Sequence, residues 1–257
     1  MKEMHKREFP LHYARGKKLF HIVVHMSDEP GSMTSVMDEL GKTVNMIGTS
    51  SYTLGDGTAM LSSFAESLSP EETVGGLKGS LTGLKAVLDA DVRAGEDGLL
   101  VDTFHTGISV GGEDYLLLRR EGLAGVFDHI VKIFGTGGEV LLYEEGKAPG
   151  RDNAQKSMEQ LGEKRVVASA RYLGRALTAQ GWGKVDSDAE PKPEGVEVAV
   201  EDCFECSGGT KVRKGCDFMR GFLEGGVQVT RGVEGRVEET GCILRGDPRC
   251  VFRVRVS

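Results

Sequence analysis

Cysteine is missing from the first 202 residues of this 257-residue chain; all five stand between Cys203 and Cys250. An odd number of clustered cysteines, in a chain with no secretion signal, fits metal binding better than a disulfide framework. Long apolar runs are missing as well: none approaches the ~20 residues that span a bilayer. The amino end, MKEMHKREFPLHYARGKK, is basic but has no apolar centre of the signal-peptide kind, so a cytoplasmic protein with a solvated basic extension over 1–17 is expected. Net positive charge is absent too. A formal charge of -7 argues against a protein whose main work is coating nucleic acid.

What is present is enough for two domains, with 39% apolar residues to fill their cores and 37 glycines to make turns and hairpins. Residues 19–25 read as a buried strand that ends at the turn Ser27-Asp28-Glu29-Pro30-Gly31. A helix follows to about Gly41, with Val36, Met37 and Leu40 on its apolar side. Strands at 44–53 and 57–66 flank Gly55-Asp56-Gly57, a hairpin signal. Ser69-Pro70-Glu71-Glu72 opens a second helix, and a strand follows near 84–92. This βαββαβ order implies an antiparallel sheet covered on one face by two helices.

Beyond it, 122–134 reads as an amphipathic helix and EVLLYEEG (139–146) as a strand. The longest helix is expected at 154–179, with Met158, Leu161, Val166, Ala170, Leu173 and Leu177 as its buried stripe, stopped by Gly181-Trp182-Gly183. A solvated loop is expected at 186–195. Strands near 196–205, a helix around 212–223 and strands near 234–240 and 249–256 complete the chain. Gly135-Thr136-Gly137-Gly138-Glu139 is glycine-rich but is read as a turn before a strand, not as a phosphate loop.

The chemistry lies in Cys216, Glu239, Cys242 and Cys250. Zinc takes four ligands drawn from thiolate, imidazole and carboxylate, and these four fill a tetrahedral shell. A closed shell leaves no place for an activated water, so the metal is expected to be structural. Arg245, Arg249 or Lys214 could offset the surplus negative charge. The pair Cys203-Phe204-Glu205-Cys206 is the competing motif. If strand alternation holds through it, its thiols face opposite sides of the sheet and serve as buried structural groups. The histidines offer no metal-ligand spacing near the cysteines; His21 and His25 share a strand face, where packing or hydrogen bonding is the expectation.

Two family resemblances attach to these residues. HIVVHMSDEPGSMTSVMDELGKTVNMIGTSSYTLGDGTAMLSSF, with its D-x-P-G turn and Asn45 entering the second strand, resembles an ACT domain. That resemblance implies a ferredoxin-like regulatory domain over 18–97, sheet-mediated dimers, and a small amino-acid-like effector near Asp28, Pro30, Gly31 and Asn45. Residues 98–257 resemble a 4-vinyl-reductase domain, through LLYEEG, Gly181-Trp182-Gly183, KGCDFMRGFLEGG and the tail VEETGCILRGDPRC-VF. This second resemblance implies an antiparallel-sheet fold of the nitric-oxide-signalling and Golgi-transport type. Its zinc ligands map onto Cys216, Glu239, Cys242 and Cys250, beside a cavity for a small apolar molecule.

Together they point to a cytoplasmic, homodimeric small-molecule sensor with structural zinc rather than an enzyme, with membrane and nucleic-acid partners not expected. The alternatives are an enzyme or accessory subunit reducing a tetrapyrrole vinyl group or related hydrocarbon, and a ligand-free tethering scaffold.

Overall fold

The computed structural model describes residues 11–110, 112–161, 166–186, 196–208, 212–232 and 235–256. The chain divides into two compact units, one ending at Tyr115 and the other beginning at Leu116. Both mix helices with antiparallel sheet. Residues 187–195 of the expected loop and most of the basic extension lie outside the described residues. No helix among those described is long and apolar enough to cross a membrane.

The first unit has the expected element order. Strands β2 (Leu19–Ser27), β3 (Val44–Thr53), β4 (Thr58–Ser67) and β5 (Val87–Ala94) form an antiparallel sheet in the order β3-β4-β2-β5. Helices α1 (Ser32–Leu40) and α2 (Val74–Thr82) connect them in the ferredoxin-like manner. Alternation along β2 sorts its side chains: Phe20, Ile22, Val24 and Met26 join Val36, Leu40, Leu77 and Leu81 in one core. Helix α2 begins later than Ser69-Pro70 suggests. Its cap is Thr73, whose hydroxyl accepts the Gly76 N–H at 3.0 Å. A ribbon of β1 (Leu11–Tyr13) with β6 (Leu99–Val101) and a short hairpin of β7 (Ile108–Val110) with β8 (Glu113–Tyr115) complete the unit.

The second unit departs from expectation in its helices. EVLLYEEG is not a strand; it lies within α4 (Thr136–Leu161), which follows α3 (Arg120–Phe134) across Gly135. The glycine-rich run therefore opens a helix rather than preceding a strand. The single helix expected at 154–179 is divided between the end of α4 and α5 (Val166–Ala179), and 162–165 lie outside the described residues. Helix α5 does stop at the glycines: Gly181 is left-handed at φ 86°, and the Trp182 N–H reaches back to the Leu177 carbonyl at 3.0 Å. Strands β9 (Lys184–Asp186), β10 (Val196–Glu201), β11 (Gly235–Gly241) and β12 (Cys250–Val256) form the sheet, in the order β11-β12-β10-β9. Helix α6 (Asp217–Arg231) starts later than the expected 212.

Helices α4 and α6 meet backbone to backbone. A Cβ on Gly146 or Gly150 would strike the carbonyls of Phe218 and Phe222; one on Gly221 or Gly225 would strike those of Tyr143 and Lys147. Both contact series rise together in number, so the helices run parallel where they touch. Only glycine allows this approach. The contact fixes the lateral position of α6, and with it Cys216.

Candidate metal centre

Five buried thiols, all free, gather at the amino end of α6. Each reaches the cluster by a different local device. Strand β10 ends at Glu201, and Asp202 takes a left-handed φ of 50°, a conformation Asp tolerates better than most residues. The chain then turns through a 3-10 segment, Phe204–Cys206, in which the Cys206 N–H bonds the Cys203 carbonyl at 3.0 Å. Strand alternation therefore stops before the C-x-x-C pair, and both its sulfurs point into the cluster instead of to opposite faces. Cys216 occupies the capping position before α6 rather than the helix proper. A bulge between Glu239 and Gly241 redirects β11 so that Cys242 turns inward, and Cys250 opens β12. The loop between them is closed by Asp247, which accepts the Cys242 N–H at 2.7 Å.

The sulfur geometry has a definite form. Among Cys206, Cys216, Cys242 and Cys250 the six separations are 3.1 Å (206–216), 3.4 Å (206–250), 3.6 Å (216–250), 3.8 Å (216–242), 3.9 Å (206–242) and 4.0 Å (242–250). A tetrahedral zinc with bonds of about 2.3 Å has ligand sulfurs about 3.8 Å apart. The four thiols thus fit a tetrahedral dication; a disulfide needs about 2.0 Å. Cys203 lies 3.9 Å from Cys216, and with Cys206, Cys216 and Cys250 it makes another four-sulfur group whose ligand atoms all lie within 4.8 Å of one another. The buried thiols can hold a metal ion.

Glu239 is also within reach. Its carboxylate and the sulfurs of Cys216, Cys242 and Cys250 have ligand atoms all within 4.8 Å of one another, so the four residues singled out by spacing are brought together. The carboxylate is nonetheless committed elsewhere. Oε1 accepts the Cys216 N–H at 3.1 Å, and Oε2 accepts from Arg245 Nη1 at 3.0 Å. Arg245 also reaches the Lys214 carbonyl at 3.0 Å, which makes it the cation beside the cluster. Gly215 leaves room for Glu239, whose Oε2 would lie 2.7 Å from a Cβ there.

A second buried network holds the C-x-x-C turn against α6. Glu205 accepts the N–H groups of Phe218 at 3.1 Å and Met219 at 2.8 Å, supplying the cap that the Cys216 side chain does not. Arg213, 1% exposed, donates to the Glu205 side chain and carbonyl and to Asp128 at 2.6 Å. Burial pushes the Glu205 carboxyl up to about 8, while the two N–H groups and Arg213 pull the other way. Hydrogen bonds from Cys203, Cys206, Cys216 and Cys242 hold the Cys250 thiol down, and the same crowding pushes Cys216 up. Sequence spacing does not show Glu205, Arg213 or the inward turn of Cys206. The one local hint is the Asp202-Cys203 step, where a turn-tolerant residue ends an apolar strand.

In the first unit, Asp28, Pro30 and Gly31 form one exposed turn, with Gly31 left-handed at φ 95°. Asn45 does not join them. It pairs with Glu66, which pairs with Leu19 at the start of β2, whereas Asp28 follows the other end of that strand. Nine residues of strand put roughly 25 Å between the two places.

No match is found among the curated proteins. Solved structures to which the chain is similar include the phenol-responsive sensory domain of the transcription activator PoxR with phenol (18% identity, 58% of this chain and 79% of that one, TM-score 0.48). A trafficking protein particle complex subunit 3 from Naegleria fowleri, covalently bound to palmitic acid, shares 14% identity over 54% of this chain and 95% of that one, with a TM-score of 0.42. A vinyl-4-reductase family protein from Methanocaldococcus jannaschii shares 19% over 56% and 84%, with a TM-score of 0.39. Residues 196–256, which carry β10, all five cysteines, α6 and the closing strand pair, match the 4-vinyl-reductase domain family.

Proposed function

We propose that this protein is a small-molecule sensor whose 4-vinyl-reductase-type segment is held together by structural zinc. The observation that carries the reading is the tetrahedral set of sulfurs inside the stretch that matches that family. Cys216, Cys242 and Cys250 are the three thiols of the spacing-based set, and Cys206 takes the fourth place in preference to Glu239. Zinc at these four would tie the C-x-x-C turn, the start of α6 and the β11–β12 connection to one point. It would close its own shell, leaving the metal to support a binding site and not to activate water.

The aromatic cluster beside it supports an apolar ligand. Trp182 packs 4.7 Å from Phe222 and 5.0 Å from Phe204, and Phe127 stacks on Phe218 at 5.1 Å. The bound molecule is taken to be small and largely apolar, phenol being the molecule found with the PoxR sensory domain. The first unit, with its ferredoxin-like order, is assigned an ACT-like regulatory role over 18–97. Asp28, Pro30 and Gly31 would offer the turn for an amino-acid-like effector, and Asn45 could contribute only from a second copy in a homodimer.

Native mass spectrometry of the protein taken from its own organism, followed by thermal-shift titration with phenol and related apolar molecules, tests the sensor reading. One zinc per chain, a co-purifying small molecule and a dose-dependent rise in melting temperature are expected. Protein carrying no small molecule and giving no shift with any apolar probe would contradict it.

A further inference from the structure

His21 is the third residue of β2, on the sheet face turned away from the two helices, and its side chain is fully buried. Its Nε2 has a partner, Ser62 Oγ at 2.9 Å. Its Nδ1 has none, although it is buried. A buried polar atom without a hydrogen bond is uncommon and calls for an explanation, an ion among them. What faces Nδ1 is a carboxylate: Asp102 Oδ1 lies 3.7 Å away.

Asp102 is held firmly. Its Oδ1 accepts the N–H groups of Phe104 at 2.9 Å and His105 at 3.0 Å, and its Oδ2 meets His105 Nδ1 at 2.7 Å. The ligand atoms of His21, Asp102 and His105 all lie within 4.8 Å of one another. Ring edges of Phe64 and Phe104 wall the place, at 4.6 and 5.1 Å from the His21 ring. We propose that His21, Asp102 and His105 form a second cation site, in the first unit, for a transition-metal dication.

The chemistry of the donors selects the ion. Two imidazoles and one carboxylate suit zinc, cobalt, nickel or iron, whereas calcium and magnesium prefer oxygen throughout. Three protein ligands also leave coordination positions open for water or a small ligand, unlike the closed thiol set. The Nε2 contact to Ser62 is the outer-shell bond that commonly orients a metal-bound histidine. Arg93 is the opposing charge nearby. Its guanidinium lies over the Phe104 ring at 3.7 Å and bonds the Thr103 carbonyl at 2.8 Å, so it is tied down beside the site and not across it. The carboxylate of Asp102 offsets it. Most of the first unit's sequence separates His21 from the Asp102–His105 turn, which is why no spacing in the sequence reveals the trio.

The test uses the full chain, without an affinity tag and with zinc already loaded at the cysteines, titrated with cobalt(II) alone by calorimetry and visible spectroscopy. One cobalt per chain is expected, with ligand-field bands but no sulfur-to-cobalt charge-transfer band, and a higher melting temperature for the first unit. His105→Ala, at a partly exposed position where misfolding is not a concern, should weaken binding at least about tenfold, as should Asp102→Asn. His12→Ala should leave it unchanged. Absence of a second bound cobalt, a spectrum dominated by thiolate charge transfer, or unaltered binding in His105→Ala would overturn the proposal.

Discussion

At Cys216 two groups approach one residue from different sides. The sulfur of Cys206 meets its sulfur at 3.1 Å, and the carboxylate of Glu239 meets its backbone N–H at the same distance. A carboxylate already holding an N–H and the Arg245 guanidinium has less to offer a metal than a thiol that points at three others. Cys206→Ser should therefore lose zinc affinity by at least about tenfold, as removal of even an outer-shell partner commonly does. Glu239→Gln should keep one zinc per chain and lose only part of the support for the cluster. Cys203→Ser should keep its full zinc content. A chelator competition assay ranks the three variants directly. Glu205 belongs to the same scale: Glu205→Ala leaves Arg213 buried with one carboxylate fewer and two helix N–H groups without an acceptor. A loss of about 3 kcal/mol or more in urea unfolding is expected, with zinc content retained.

Between elements, the controlling contact is the glycine seam of α4 and α6. Gly221→Ala places a methyl against the Tyr143 carbonyl and should cost about 1–3 kcal/mol, as overpacked cores do. Gly125 in the interior of α3 has nothing within 4 Å of an added Cβ. Gly125→Ala should raise stability by about 0.5–1 kcal/mol through helix propensity alone. Chemical denaturation of the pair separates a packing role for glycine from a merely tolerated one. This seam also explains what the sequence hides. EVLLYEEG reads as a strand because its apolar run is short and ends in glycine, while Pro149 and the glycines at 137, 138 and 150 count against a helix around it. The glycines are there for helix contact, a reason that local propensity cannot express. In contrast, the β2–α1–β3–β4 stretch is legible almost to the residue. Its turns carry Asp-Glu-Pro-Gly and Gly-Asp-Gly, and its strand faces are sorted by simple alternation.

For the whole molecule, the four residues chosen by cysteine spacing are brought within 4.8 Å of one another, and three of them also belong to the four-thiol group with Cys206. Cys206 is hidden from sequence because alternation does not continue past the left-handed turn at Asp202, where the strand has already ended. The His21–Asp102–His105 trio is hidden by distance along the chain. Because zinc would join three segments of the second unit and none of the first, a strong chelator should act unevenly. Melting followed by calorimetry should show the second unit's transition lowered or lost, and the first unit's transition in place. A single transition that shifts as one would count against this division of labour.

Zinc K-edge X-ray absorption on the purified chain reads the ligand shell itself. Four sulfur scatterers at about 2.3 Å and no light-atom ligand are expected. A shell of three sulfurs and one oxygen would return the fourth place to Glu239, and protein without zinc even after reduction and reloading would contradict the metal centre altogether.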